Sequence, residues 1–416
     1  MLRKSPVQKF IYECINCGKQ YYTNEIIYLC PDCSKENNVL SPPKGILKVV
    51  YNFAELLKIK LLFSRLKETN YIDLLPISTI QNFPMLRVGN TPLYKFNSLN
   101  NSELPFYLFL KDDSQNPTFS FKDRASALVS AYAKENNINT IVCASTGNAG
   151  SSLAGICASQ KQKAVVMVPE SAPLAKLSQI IMYGANIIPV KGTYDDAFDL
   201  SVLATKEFGW YNRNTAYNPF TTEGKKIVSF EIFDQLNQTL PDRIFVSVGD
   251  GVIISGIYKG FEDLFNLKLI DKIPTIIAVQ AEKSDNTIRN LATDIFVSKP
   301  SKTIADSISV NYPRNFYMTK QYIQKYAGEY LTVTDEEILN ASAILSRNTG
   351  LFAEPAAAAA FAGFLYYYKT NKLENNSKNV VLLTGSGLKD LKSIQSVLKM
   401  PNSIEPRIEN LKKMIS

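Results

Sequence analysis

Hydrophobic positions along this chain fall into two alternating patterns. Short runs rich in Val and Ile recur as "TIVCAST" (140–146), "KAVVMVPE" (163–170), "NIIPV" (186–190), "RIFVSVG" (243–249), "TIIAVQA" (275–281) and "NVVLLTG" (379–385). Unbroken apolar runs of this length fit strands buried on both faces. Between them, apolar residues at helical spacing mark 148–160, 173–183, 193–208, 221–239 and 335–349. Strand alternating with helix predicts an α/β protein whose parallel sheets are covered on both sides. "TDEE" (334–337) sets Thr334 at the N-cap and Glu337 at the third position of a capping box, which starts the last of these helices. The uncharged stretch "PAAAAAFAGFLYYY" (355–368) is shorter than the ~20 residues a membrane span needs, and reads as a buried helix.

In such folds ligands bind where strands end and helices begin. Four junctions are polar or glycine-rich: "ASTGNAG" (144–150), "SVGDGVIISG" (247–256), "FAEPAAAAA" (352–360) and "TGSGLKD" (384–390). In the second, Gly249, Gly251 and Gly256 let backbone amides approach an anion, and a helix starting near Val252 adds its positive end. It is neither G-x-G-x-x-G nor a P-loop, so a monophosphate suits it better than a nucleotide triphosphate. A tight turn that needs glycine only for packing is the alternative. "ASTGNAG" offers Ser145, Thr146 and Asn148 at a helix start, which suits a carboxylate and equally an ordinary N-cap. Thr384 places a neutral hydroxyl at a strand end, as partner for a ring nitrogen or as a turn former. In "NPTFSFKDRAS" (116–126), Phe119 and Phe121 could desolvate Lys122 and expose a nucleophilic amine. The alternative is a solvated first-turn lysine paired with Asp123.

Composition narrows the chemistry. The 416 residues contain no histidine, so serine or cysteine nucleophiles activated by imidazole are excluded, as is metal binding by His. Proton transfer then falls to Lys, Asp, Glu, Tyr, Cys, water or a cofactor. A net charge of +8 is spread without dense basic blocks, and no nucleic-acid partner is expected. The N-terminus lacks the apolar run of a secretory signal, which predicts a cytoplasmic protein without a membrane partner. Cys14 and Cys17 ("CINC") and Cys30 and Cys33 ("CPDC") form two C-x-x-C knuckles twelve residues apart. That spacing predicts a tetrahedral zinc ribbon with four cysteine ligands, structural because all four positions are protein-filled; a redox dithiol or disulfides are the rival readings. "SPPKG" (41–45) marks a linker after it, and Cys143 and Cys157 sit in apolar runs as core residues.

Taken together, "GNTPL" (89–93), "PTFSFKDRAS", "ASTGNAG", "GTYDDAFDL" (192–200), "AYNPFTTEGKKIVSFEI" (216–232), "TDEEI", "AEPAAAAA" and "LTGSGLKD" resemble the threonine synthases. These are pyridoxal 5′-phosphate (PLP) enzymes of the tryptophan-synthase-β-like fold, fold type II, many of which carry an N-terminal four-cysteine ribbon. The resemblance implies a ribbon-like segment at 1–45 and a catalytic region at 46–416. Within the latter, a smaller domain of about 128–215 is inserted in a larger one made of 46–127 and 216–400. It also implies a homodimer and a small phosphorylated amino acid as substrate.

On matching positions, Lys122 would carry PLP as a Schiff base and shuttle protons. Asn148 would meet the phenolic oxygen, and Gly249, Asp250, Gly251, Val252 and Ile253 would hold the phosphate. Thr384 would face the pyridine nitrogen, and Ser145 and Thr146 the substrate carboxylate. The implied reaction converts O-phospho-L-homoserine and water to L-threonine and phosphate. The same chemistry also serves serine/threonine dehydratases and β-replacement on O-phosphoserine. Three positions depart from the family pattern. Phe119 and Ala125 replace the glycines of "PTGSFKDRG". Thr221 stands where "NPxRxEGQKT" has Arg, so Lys176, Lys225 or another cation would have to meet the substrate phosphate. Asp250 lies in a phosphate turn, which requires its carboxylate to point away.

Overall fold

A computed structural model describes residues 8–22, 26–38, 40–398 and 400–415. Residues 1–7, 23–25 and 39 of the expected ribbon segment lie outside the described residues. The segment begins with strands β1 (Phe10–Cys14), β2 (Gln20–Tyr21) and β3 (Leu47–Tyr51), an antiparallel sheet in the order β2-β1-β3. Helix α1 (Leu62–Glu68) and the hairpin β4 (Leu93–Leu99)–β5 (Ser102–Asp112) follow.

The expected alternation begins with α2 (Lys122–Glu135). It continues through β6 (Thr140–Ala144), α3 (Asn148–Gln160), β7 (Lys163–Pro169), α4 (Leu174–Met182), β8 (Asn186–Val190), α5 (Tyr194–Phe208) and β9 (Tyr211–Asn212). The chain goes on through α6 (Phe220–Gln235), β10 (Arg243–Ser247), α7 (Val252–Asn266), β11 (Thr275–Ala281) and α8 (Phe316–Lys325). It then runs β12 (Glu329–Val333), α9 (Asp335–Thr349), α10 (Pro355–Lys369) and β13 (Lys378–Leu383). All six apolar runs are strands, and the capping box of Thr334 and Glu337 is formed at α9.

Two sheets carry the catalytic region. One has four parallel strands in the order β8-β7-β6-β9, all between residues 140 and 212. The other has six, in the order β12-β11-β10-β13-β5-β4, and is parallel except for the edge strand β4. Along its central strands, alternate residues enter different cores. Ile244, Val246, Ile276, Ala278, Val380 and Leu382 pack with residues of α6 and α7. Phe245, Ile277, Val279, Val381 and Leu383 pack with α9 and the alanines of α10. Burial on both faces is why these strands read as unbroken apolar runs.

Helix α6 is the packing hub. A Cβ on its Gly224 would meet the Arg124 carbonyl oxygen of α2 at 2.3 Å. A Cβ on Gly260 of α7 would meet the Lys226 carbonyl oxygen of α6 at 2.4 Å. The three helices therefore touch backbone to backbone, and the first residues of α2 and α7 are brought side by side. Ala125 fits the place of the family glycine because the small residue that this crossing requires is Gly224, opposite it.

Candidate active site

Lys122 is the first residue of α2, and its two successors fix that end of the helix. Asp123 is fully buried and is not paired with Lys122. Its carboxylate accepts the Thr118 backbone N–H at 2.7 Å and the Thr118 hydroxyl at 2.5 Å, closing the turn before the helix. Arg124 Nε and Nη2 donate to Asp113 at 2.6 and 2.9 Å, and Nη1 and Nη2 donate to Glu231 of α6 at 2.6 and 2.8 Å. Lys111 of β5 donates to the same Glu231 at 2.7 Å, as does the Asn90 backbone N–H. Burial raises the pKa of Glu231, but Arg124 and Lys111 overcome it and hold the carboxyl far below its usual range. The Phe121 N–H donates to the Thr384 carbonyl at 2.8 Å, and the Ser386 N–H to that of Phe119 at 3.1 Å. Lys122 and Thr384 are thereby fastened together through their backbones.

Phe119 takes φ +67°. This left-handed conformation costs a residue with a Cβ about 1–2 kcal/mol, which is a physical reason for glycine in the family pattern. Its ring is exposed at the mouth of the site.

One cavity is lined by Lys122, Asn148, Thr384, Ser307, Glu354 and the turn 249–253. That turn meets the N-terminus of α7, where free backbone N–H groups point outward. Gly251 is at φ +86°, and a Cβ there would strike Thr319 Oγ1 at 2.1 Å, so no other residue fits. The Asp250 carboxylate accepts the Arg314 backbone N–H at 3.0 Å, which engages one of its oxygens. Lys122 keeps some exposed surface in the cavity. Desolvation, then the positive charge of Arg213, lowers its pKa against the opposing pull of Asp250 and Glu354. A lowered pKa increases the fraction of free amine, the form a nucleophile or base needs. Asn148 Nδ2 donates to both oxygens of buried Glu354, at 2.9 and 3.1 Å. Burial raises the pKa of Glu354, with this bond acting the other way.

A second cavity of about 530 Å³ shares Asn148, Ser307 and Glu354 with the first. Thr146 and Lys176 line it, and Lys176 is paired with Asp306 at 2.8 Å near the surface. Ser145 sits behind them, its hydroxyl accepting the Gly147 N–H at 3.3 Å. Three residues near the site were not singled out by spacing. Lys389 lies within "GLKD" and donates to Thr118, Ser151 and Gln179 at 2.8–3.0 Å. Glu354 lies within the "AEPA" junction, and Arg213 is a buried cation in a stretch without periodicity. Away from this site, the sulfurs of Cys14, Cys17, Cys30 and Cys33 all lie within 4.8 Å of one another, close enough to hold a metal ion. Cys143 and Cys157 are buried in the core.

A lysine at a helix start, a phosphate-sized cradle and a strand-end hydroxyl on an α/β scaffold define a class of cofactor-dependent enzymes. Residues 85–385 match the family model described as pyridoxal-phosphate dependent enzyme. A protein of Methanocaldococcus jannaschii named threonine synthase is 36% identical, covering 97% of this chain and 99% of its own. Another of that name from Methanosarcina acetivorans is 33% identical over 97% and 98%. Threonine deaminase isoform 2 of Solanum lycopersicum is similar in fold, with a TM-score of 0.66 at 19% identity over 91% of this chain and 99% of its own. Maize serine racemase has a TM-score of 0.64 at 20% identity, over 79% and 94%. The chain belongs to the pyridoxal-phosphate-dependent enzymes and, within them, to the threonine synthase family.

Glu231→Gln should leave Arg124 and Lys111 undercompensated in a buried setting. Urea unfolding is expected to show a loss of about 3–5 kcal/mol. The wild-type contribution of this depressed carboxyl is present above the ordinary Glu pKa, near ~4.3, and declines as pH falls below it. A loss under about 1 kcal/mol, within the range of surface pairs, would contradict this reading.

Proposed function

We propose that this chain is a threonine synthase, converting O-phospho-L-homoserine and water to L-threonine and phosphate. The observation that carries the reading is the meeting of Lys122, Asn148, Thr384 and the 249–253 turn in one cavity, although up to 262 positions separate them. The cradle suits the phosphate of PLP: Gly251 at φ +86° shapes the turn, and the start of α7 favours an anion.

Bound PLP supplies the electron sink for charge that builds at the substrate Cα. Lys122 would hold the cofactor and then move protons at Cα and Cβ of the substrate, its position fixed by Arg124 and Asp123. The backbone of Gly249, Asp250, Gly251, Val252 and Ile253 would bind the cofactor phosphate. Asn148, held by Glu354, would orient the ring through its phenolic oxygen, and the neutral Thr384 hydroxyl would leave the ring nitrogen largely unprotonated. Ser145 and Thr146, at the start of α3, would take the substrate carboxylate. Lys176 at the mouth would draw the anionic substrate toward the site as a charge at a distance, its amine held by Asp306. Phosphate leaves from Cγ, and water adds at Cβ.

Cys14, Cys17, Cys30 and Cys33 would hold one structural zinc. Observed sulfur separations of 3.8 and 3.9 Å match the edge of about 3.8 Å that a tetrahedron with ~2.3 Å Zn–S bonds requires. A reducing cytoplasmic setting suits four thiolate ligands. An inserted domain of 128–215 would hold the four-stranded sheet and a larger domain of 46–127 with 216–400 the six-stranded one, whereas the ribbon-like segment, expected at 1–45, would extend to Tyr51, because β3 completes its sheet. A homodimer follows from the family resemblance.

Purified protein supplied with O-phospho-L-homoserine is expected to release threonine and phosphate in equal amounts. Release of 2-oxobutyrate from threonine, or product from O-phosphoserine only when sulfite is added, would replace this reaction with another of the same chemistry. Metal analysis is expected to find one zinc per chain, absent from a Cys30→Ser, Cys33→Ser variant. Full cofactor content with no zinc in the wild type would refute the ribbon's metal.

A further inference from the structure

Two cations near Lys122 are buried without partners for part of their hydrogen-bonding capacity. Lys225 and Arg213 are both 0% exposed, and neither Lys225 Nζ nor Arg213 Nη2 has a hydrogen-bond partner. The three other buried lysines among the described residues each reach a carboxylate: Lys111 to Glu231, Lys226 to Glu223 and Asp263, and Lys259 to Asp263. A buried ammonium without a counter-charge is strongly disfavoured, so Lys225 is the exception that calls for an anion.

Packing sets where these groups sit. Arg213 Nε donates to Ser126 at 3.1 Å and Nη1 to Thr215 at 3.3 Å. Ser126 is one helical turn along α2 from Lys122, on the same face, and Thr215 lines the Lys122 cavity. Lys225 follows Gly224, which presses on α2, and its own Cβ would lie 2.7 Å from a Cβ on Gly256 of α7. Its backbone and Cβ therefore pack between α2 and α7, whose first residues are Lys122 and the end of the 249–253 turn, and its amine is near enough to feel the charges of Lys122, Arg213 and Asp250. Burial pushes the Lys225 pKa well down. Lys122 and Arg213 push the same way, and Asp250 opposes them. A dianion arriving beside the Lys225 amine would reverse that balance.

We propose that Lys225, with Arg213, anchors a phosphate monoester dianion beside Lys122, and that this is the phosphate of the substrate. The assignment rests on the threonine synthase reading above. The cofactor phosphate already has the 249–253 amides and the end of α7, so a second phosphate needs charges of its own. Lys176, the other cation considered from sequence, is 38% exposed and already satisfied by Asp306. Lys225 lies one turn after Thr221 on α6, so it returns a positive charge to the helix face where the family pattern has Arg.

The test uses holoenzyme with Lys225→Gln and Lys225→Arg. The Gln variant is expected to raise KM for O-phospho-L-homoserine, and to weaken competitive inhibition by inorganic phosphate, each by about 10–100-fold, the scale of a lost charged hydrogen bond. Its PLP affinity, titrated on the apo-protein, should change less than about 2-fold, while Arg restores most of the phosphate affinity. The apo Gln variant should melt no lower than wild type, because the Lys225 amine gives up no hydrogen bond there; a large fall would assign Lys225 a merely structural role. Unchanged phosphate inhibition overturns the proposal. So does a PLP affinity reduced by the same factor with phosphate inhibition intact, which would give Lys225 to the cofactor. Inorganic phosphate binding still reads out if the wild type fails to turn over O-phospho-L-homoserine, so failure of the anion site and failure of the reaction assignment are separable.

Discussion

The buried fork of Arg124 onto Asp113 and Glu231 is the constraint on which the rest of the site depends. It joins the end of β5, the first turn of α2 and the middle of α6, and through Asn90 it also holds the loop ahead of β4. A planar guanidinium matched to two carboxylates tolerates little displacement, because any shift strands a charge away from water. Lys122, two residues earlier, inherits that rigidity without taking part in the pairing. Its amine stays free for chemistry while its backbone is held by the bonds of Asp123 and Arg124 beside it. The "KDR" sequence thus divides its labour: Asp123 closes the preceding turn, Arg124 anchors the helix, and Lys122 faces the cavity.

Helix α6 distributes the same constraint further. Its Glu231 meets α2, its Gly224 presses on α2, and its Lys225 packs between α2 and α7. Its Glu223 accepts the hydroxyl of Tyr51 in β3 at 2.8 Å, and Lys226 joins that carboxylate to Asp263 of α7. Lys48 of β3 pairs with Glu262 of α7 at 2.5 Å. The cysteine-bearing sheet is therefore tied by buried charges to α6 and α7. This gives an otherwise remote metal-type cluster a physical route to the active site: loss of the β1–β3 sheet would uncover Glu223 and Lys226 directly behind Lys225.

Much of this was legible in the sequence, and the gaps have physical causes. The six apolar runs could be read because they are short and rich in Val and Ile, buried on both faces in β6, β7, β10, β11 and β13 though not in the edge strand β8, and the α9 capping box because it is local chemistry. β4 and β12 were missed because polar residues at their exposed positions interrupt the apolar run. The approach of the cavity residues was anticipated from strand-end positions, since topology alone brings those ends together. What spacing does not reveal is which charge is paired. Lys176 and Lys225 looked equivalent as substitutes for a missing Arg, and only packing shows one satisfied by Asp306 and the other without an acceptor. The Asp250 side chain, unfavourable in a phosphate turn on paper, has one oxygen engaged by the Arg314 N–H, while its charge still acts on Lys122.

The central claim is that the Arg124 fork presents Lys122, and no other buried lysine, as the amine that carries the cofactor. Borohydride reduction of the PLP-loaded protein, followed by peptide mass mapping, tests it most directly. The account predicts one pyridoxyl label per chain, located on the peptide containing Lys122. A label on Lys225, Lys389 or any other lysine, with Lys122 unmodified, would contradict it.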